Sequence, residues 1–300
     1  MRQAPSQKGD GSCGFTEVSK GPYNFDTFWC QSYTAPLTLK THDFILDDIT
    51  KWRDIVKVPD ISDIDWEMMA KPALDMRNPD MPFGGSTAMG FFQPFVSFMG
   101  FDEGLMACFE EPDEVKDLLN YLCDFAVDAA KKYLFYYKPD FGSMGDDIAH
   151  ERNPFLSLEM FQDIFAPVWR RYYEPFIEAG LVCGMHNCGH FELYLDDLVD
   201  MGVTFWDPCQ NSNDLEAIKA KFGNRLALCE AYDTRFLPDD ATEADVRDMA
   251  IEHITKLAAG GGYAMFQHNP DMMISFTEEE IKKAGWAWDA FESIRYDFYK

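Results

Sequence analysis

From residue 83 onward the chain alternates between a short run of apolar or small residues and a longer stretch with helical spacing. No other feature restricts the fold as much, because strands joined by helices of this length pair in parallel. The candidate strands are Phe83–Gly90, Asp140–Gly145, Leu181–His186, Val203–Asp207, Arg225–Glu230 and Gly262–His268. Among the helices, residues 112–138 place Val115, Leu118, Leu119, Leu122, Ala126, Ala129 and Tyr133 on one face, at spacings of three and four. Pro112 suits a first helical turn, where Asp113 and Glu114 meet the positive end of the helix dipole.

Further on, Ser157 can cap a helical stretch that ends at Gly180 and is expected to break at Pro167 or Pro175. Residues 191–201 and 214–222 read as helices stopped by Gly202 and Gly223. Thr242 with Asp245, and Thr277 with Glu280, have the spacing of capping boxes opening the last two helices. Ahead of this pattern, residues 1–80 read as a lead-in with a hairpin and a short helix, and 81–300 as the barrel. Within the lead-in, Phe28–Tyr33 is a candidate strand, Asp47–Val56 a short helix carrying Trp52, and 57–82, with four prolines, an irregular crossing.

The expected class is therefore α/β, a (β/α)8 TIM barrel, which a chain of 300 residues can form as one domain. Eight strands close such a barrel and six are visible, so the others come from the lead-in or are absent from this chain. Hydrophobic residues at 47% supply a large core and exclude a disordered chain. With 52 acidic against 26 basic residues, the net charge of −26 excludes nucleic acid and anionic membrane surfaces as partners. No apolar run is long enough to span a bilayer, and the N-terminus lacks the apolar stretch of a signal peptide. The eight cysteines are widely spread, without the spacing of a small disulfide scaffold, and read as reduced thiols of a cytoplasmic protein.

The chemistry-bearing residues gather where strands end, the side on which barrel enzymes build their sites. Asp146 and Asp147 follow one strand, and His186 and Cys188 end another. Asp207, Cys209 and Gln210 end a third, Glu230 and Asp233 follow a fourth, and His268 and Asn269 close the last. His186 and Cys188, two apart, face the same way on an extended strand. Imidazole and thiolate together suit zinc, although a core histidine beside a buried thiol has the same pattern. Asp146-Asp147 is either a general acid/base, a substrate clamp or a solvated loop pair. Phe91 is a candidate pocket wall or a core residue. His150 and His190 read as plain polar residues. Gly260-Gly261-Gly262 reads as a tight turn, since no helix follows directly as a phosphate loop requires.

An ordered set of segments resembles the uroporphyrinogen decarboxylase superfamily, especially its corrinoid-dependent methyltransferase branch. The segments are Gly100-Phe101-Asp102-Glu103-Gly104-Leu105, Glu111-Pro112-Asp113-Glu114-Val115, and Pro139-Asp140 leading to Gly145-Asp146-Asp147. Met185-His186-Asn187-Cys188-Gly189, Asp200-Met201-Gly202-Val203, Cys209-Gln210 with Asn213-Asp214, and Gly260-Gly261-Gly262-Tyr263 follow. Asp47-Asp48-Ile49-Thr50-Lys51-Trp52 is similar to members acting on methoxylated or methylated compounds. The resemblance runs from about residue 44 to the end. Family chains begin further upstream, so the first barrel strand is expected to be missing here.

The resemblance implies a (β/α)8 barrel with a zinc site made by a His-x-Cys pair and a third ligand, usually Cys, on the last strand. His186 and Cys188 match the pair. The last strand reads Phe266-Gln267-His268-Asn269 with no cysteine beyond Cys229, so His268 takes the third place, with Glu230 or Cys229 as fallbacks. The implied activity is transfer of a methyl group from a small methylated donor, methoxylated aromatics among the candidates, to a corrinoid held by a separate corrinoid protein. Asp146 or Asp147 would orient the donor or supply a proton, and Phe91, Asn187, Gln210, Tyr232 and Asp233 are the candidate substrate contacts. The alternatives are a metal-free porphyrinogen decarboxylase and a non-catalytic barrel with a degenerate site. Uroporphyrinogen decarboxylases open with Met-Arg-Gln-Ala-Gly-Arg, whereas Met1-Arg2-Gln3-Ala4 continues here with Pro5-Ser6 and lacks the second arginine.

Overall fold

A computed structural model describes residues 44–86, 90–230, 232–234, 237–265, 277–296 and 298. The described residues divide into two compact units, the first with those up to 146 and 156–182, the second with 147–155 and those from 183 onward. The candidate strand Phe28–Tyr33 lies outside the described residues.

In the first unit, α1 (Trp66–Asp75) starts where the Asp65 side chain accepts the Met68 N–H. This helix corrects the expectation of an irregular crossing over 57–82. Pro72 sits inside it, well past the first turn, and the Asp65 cap, worth about 0.5–2 kcal/mol, offsets only part of the roughly 3 kcal/mol that such a breaker costs. Next come β1 (Gly84–Ser86), α2 (Phe92–Met99), α3 (Phe101–Glu110), α4 (Pro112–Tyr137), β2 (Phe141–Gly145) and α5 (Ala166–Glu178). Strands β1 and β2 are parallel, Gly84 opposite Phe141.

Helix α4 begins on Pro112 and stops at Lys138 in a left-handed conformation, φ 48°. It buries Val115, Leu118, Leu119, Cys123, Ala126 and Ala130. The face is the expected one, turned slightly so that Cys123 and Ala130 replace Leu122 and Ala129. Helix α5 continues through Pro175, and Pro167 lies in its first turn, so neither proline breaks it. A π-helical turn at Phe161–Phe165 leads into α5 instead. The core of this unit is aromatic: Phe91, Phe92, Phe95, Phe161, Phe165, Trp169, Tyr172 and Phe176 are fully enclosed. Tyr172 also donates to the Ser143 carbonyl at 3.1 Å, tying α5 to β2.

The second unit contains β3 (Val182–His186), α6 (Leu195–Asp200), β4 (Phe205–Asp207), α7 (Leu215–Phe222), β5 (Ala227–Glu230), α8 (Glu243–Ala258), β6 (Tyr263–Met265) and α9 (Glu278–Ile294). Its strands pair in chain order, all parallel. Thr242 and Thr277 form the capping boxes that their spacing predicts. Helices α8 and α9 pack through Val246, Ala250, Ile254, Ala287 and Ala290. The alternation of parallel strands with helices is that of a (β/α) barrel. No helix among the described residues is long and apolar enough to cross a membrane.

Close approach explains Gly184 in β3. A Cβ built there would lie 1.9 Å from the Phe205 ring on the paired strand. Gly184→Ala is expected to destabilise the chain by about 1–3 kcal/mol through overpacking. Urea unfolding checks this, and an unchanged midpoint would show that the Phe205 ring has room to retreat.

Candidate metal centre

The register of β3 on β4 sets His186 directly opposite Asp207, each the last residue of its strand. Paired residues in a parallel ladder share a face, and here His186 Nδ1 lies 3.1 Å from Asp207 Oδ2. An Nδ1–H hydrogen-bonded to that carboxylate leaves Nε2 as the nitrogen available to a metal. Nε2 is 3.9 Å from the sulfur of Cys188. Cys188 lies beyond the strand end, yet the two side chains meet as their spacing predicts.

The turn that brings Cys188 back is built from backbone contacts. Gly189 has φ 89°, and a Cβ there would strike the Ala149 and His150 carbonyl oxygens at 2.8 Å. Only glycine fits such a left-handed, crowded position. The Gly189 N–H donates to Gln210 Oε1 at 2.6 Å. Asn213 completes the clamp: its Oδ1 accepts the N–H groups of Phe191 and Glu192, and its Nδ2 donates to the Gly189 carbonyl at 2.9 Å. The Cys188 N–H donates to Asp147 Oδ1 at 2.8 Å.

Asp147, His186 and Cys188 thus form the one group of three or more His, Cys, Asp or Glu side chains, among the described residues, that could hold a metal ion. Their ligand atoms all lie within 4.8 Å of one another. Two donors on one tetrahedral zinc are roughly 3.5 Å apart, given bonds of about 2.0–2.3 Å, so the 3.9 Å between Nε2 and sulfur is close to the required spacing. The mixed nitrogen, sulfur and oxygen set also suits zinc, and a carboxylate behind the histidine is the usual support for such a ligand. His186 is crowded by protein but open on one side, with 47% of its side chain exposed. Desolvation pulls its pKa down, while Asp207 and Cys188 pull harder and leave it raised. Burial raises the Cys188 thiol, and His186 pulls it the other way.

The remaining expected residues take other positions. Asp146 is fully buried, and its carboxylate accepts the N–H groups of Phe91, Phe92 and Gln93 and of the Trp169 indole at 2.8–3.0 Å. Burial pushes this carboxyl up to about 6, against the pull of those donors. Asp146 thus anchors the N-terminus of α2, whereas Asp147 lies in the cluster with His186 and Cys188. Phe91 is buried in the first unit with its ring edge on Tyr172.

Glu230 pairs with Met265 and shares a face with Leu228, the face opposite Cys229. Both its oxygens lie 2.9 Å from His253 Nε2 on α8, and it accepts the Tyr263 hydroxyl at 2.8 Å. Cys229 shares the His186–Asp207 face by register but is not in the cluster, and burial together with the Asp207 charge pushes its thiol to about 12. Asn187 is enclosed, its carbonyl accepting the Trp206 indole N–H at 3.0 Å. Tyr232 and Asp233 are buried, Tyr232 against the His253 ring. His268 lies outside the described residues.

Sequence reasoning placed Asp207 at a strand end and Asn213 in a resembling segment without a role for either, and did not single out His253. A signal existed for Asp207, since the last residues of neighbouring parallel strands sit side by side. Nothing in the sequence marks His253, one polar residue within α8.

Residues 71–280 match the family described as uroporphyrinogen decarboxylase (URO-D). Among solved structures, a methyltransferase from Methanosarcina mazei aligns with a TM-score of 0.54 at 14% identity, over 77% of this chain. That alignment covers 64% of the other protein's length, so the chain spans less than two thirds of it. No curated protein matches the chain by sequence.

Proposed function

The chain belongs to the uroporphyrinogen decarboxylase family, and from that premise we propose that it is a zinc-dependent methyltransferase. It moves a methyl group from a small methylated donor to a corrinoid carried by a separate protein. The family's (β/α)8 barrel accords with the parallel strand–helix alternation of both units. The observation that carries the reading is the cluster of Asp147, His186 and Cys188 at a strand end, with Asp207 behind the histidine.

His186 and Cys188 would hold the ion, which when bound would supply Lewis acidity to the heteroatom that the methyl group leaves. The chain's own residues prepare that site. Asp207 fixes the His186 tautomer, and Gln210 and Asn213 fix the turn carrying Cys188. The exposed side of His186 leaves room for a donor to approach. In the transfer itself, reduced cobalt of the corrinoid substrate gives an electron pair to the methyl carbon. The carbon–heteroatom bond breaks, and its pair stays on the heteroatom.

The test mixes the protein with a reduced corrinoid protein and a panel of methylated donors and follows methylcobalt by absorbance. Methylation that depends on this chain is expected. Absence of methylation across the panel, together with decarboxylation of a porphyrinogen, would assign the chain to metal-free decarboxylation.

A further inference from the structure

We propose that Asp147 is the third protein ligand of the metal centre. The inference rests on the zinc reading above and concerns only which residue completes the ligand set. The described alternatives are poorly placed: Glu230 points to the opposite face of the sheet and is engaged by His253 and Tyr263, and Cys229 lies outside the cluster. Asp147 is inside it, with a carboxylate oxygen within 4.8 Å of both His186 and Cys188 ligand atoms.

Its position is held by the chain's own hydrogen bonds. Residues 147–155 fold into a short loop closed by the Ala149–Pro154 bridge and by the Phe155 N–H to the Ile148 carbonyl at 3.1 Å. This loop is laced to the cysteine turn twice, by the Cys188 N–H to Asp147 Oδ1 at 2.8 Å and by the His190 N–H to the His150 carbonyl at 2.8 Å. Gly189 packs directly against the same loop. A hydrogen bond to one oxygen of a ligating carboxylate orients it without preventing coordination. The carboxylate and the Cys188 thiolate carry two negative charges, which balance a divalent ion beside a neutral imidazole. With three protein donors a bound zinc would keep a position open for the substrate heteroatom, as catalytic zinc sites do.

Metal binding, read without turnover, tests the assignment. Zinc affinity of the full chain is measured by competition with a chromophoric chelator, for the wild type, Asp147→Asn and His268→Ala. Asparagine keeps the oxygen that accepts the Cys188 N–H, so the turn stays supported. Asp147→Asn is expected to bind zinc more than about 100-fold more weakly, beyond the roughly 10–100-fold typical of outer-sphere losses, and His268→Ala to bind as the wild type does. Zinc-edge X-ray absorption on the loaded wild type gives a reading independent of how the variants fold. One sulfur and one imidazole are expected, and two imidazoles would overturn the proposal in favour of His268. Unchanged affinity in Asp147→Asn with loss in His268→Ala would overturn it equally. A wild type that binds no zinc at micromolar concentration would remove the zinc reading, and the ligand assignment with it.

Discussion

Cys188→Ala is expected to lose zinc and, with it, chain-dependent methylation of the corrinoid protein, leaving only the rate seen without enzyme. The sulfur is one of three donor groups that converge, and removing one of three protein ligands leaves an under-coordinated ion. The fold should survive the change, because the turn is held by the Cys188 backbone N–H and by Gly189, not by the sulfur. Metal content and the methylcobalt assay are therefore measured on a variant whose circular dichroism and unfolding midpoint match the wild type. Equal methylation rates in variant and wild type would eliminate the role given to the metal.

The second large effect concerns stability. Asp146→Ala removes the acceptor for three backbone N–H groups and the Trp169 indole, all at 2.8–3.0 Å from the carboxylate. A buried donor left without a partner costs about 1–3 kcal/mol, and breaking a buried charged network about 3–5 kcal/mol. A loss of about 4 kcal/mol is expected, a large part of the roughly 5–15 kcal/mol available to a folded domain. Urea unfolding followed by far-ultraviolet circular dichroism reads it. A loss below about 1 kcal/mol would show that water reaches these donors and replaces the carboxylate.

Much of the fold was legible because its signals are local. The β3 and β4 strand ends at His186 and Asp207, the β5 end at Glu230, and both capping boxes fall where spacing places them. Helices α2 and α3 gave no such signal. All of α2 except Gln93 is buried, so it lacks the polar stripe that produces a helical period. Helix α1 was hidden by the prolines around it. At the candidate site, the pairing of His186 with Cys188 could be read from an interval of two. The clamp of Gln210 and Asn213 could not, because it depends on loops separated by about twenty residues in sequence. The two adjacent aspartates were read as interchangeable. Burial alternates through Gly142, Met144, Asp146 and Ile148, so parity along the strand sends Asp146 inward and leaves Asp147 half-exposed.

That parity bears on how the gene can be edited. Between 141 and 147 the chain works as a ruler: one codon lost there would bring Asp147 to the buried address and Ile148 to the ligand address, and one gained would bring Gly145 and Asp146 to them. In either case only one of the two addresses would keep a carboxylate. Chimeras with related barrels therefore have to keep this phase from Phe141 through Asp147, together with the 147–155 loop that follows it.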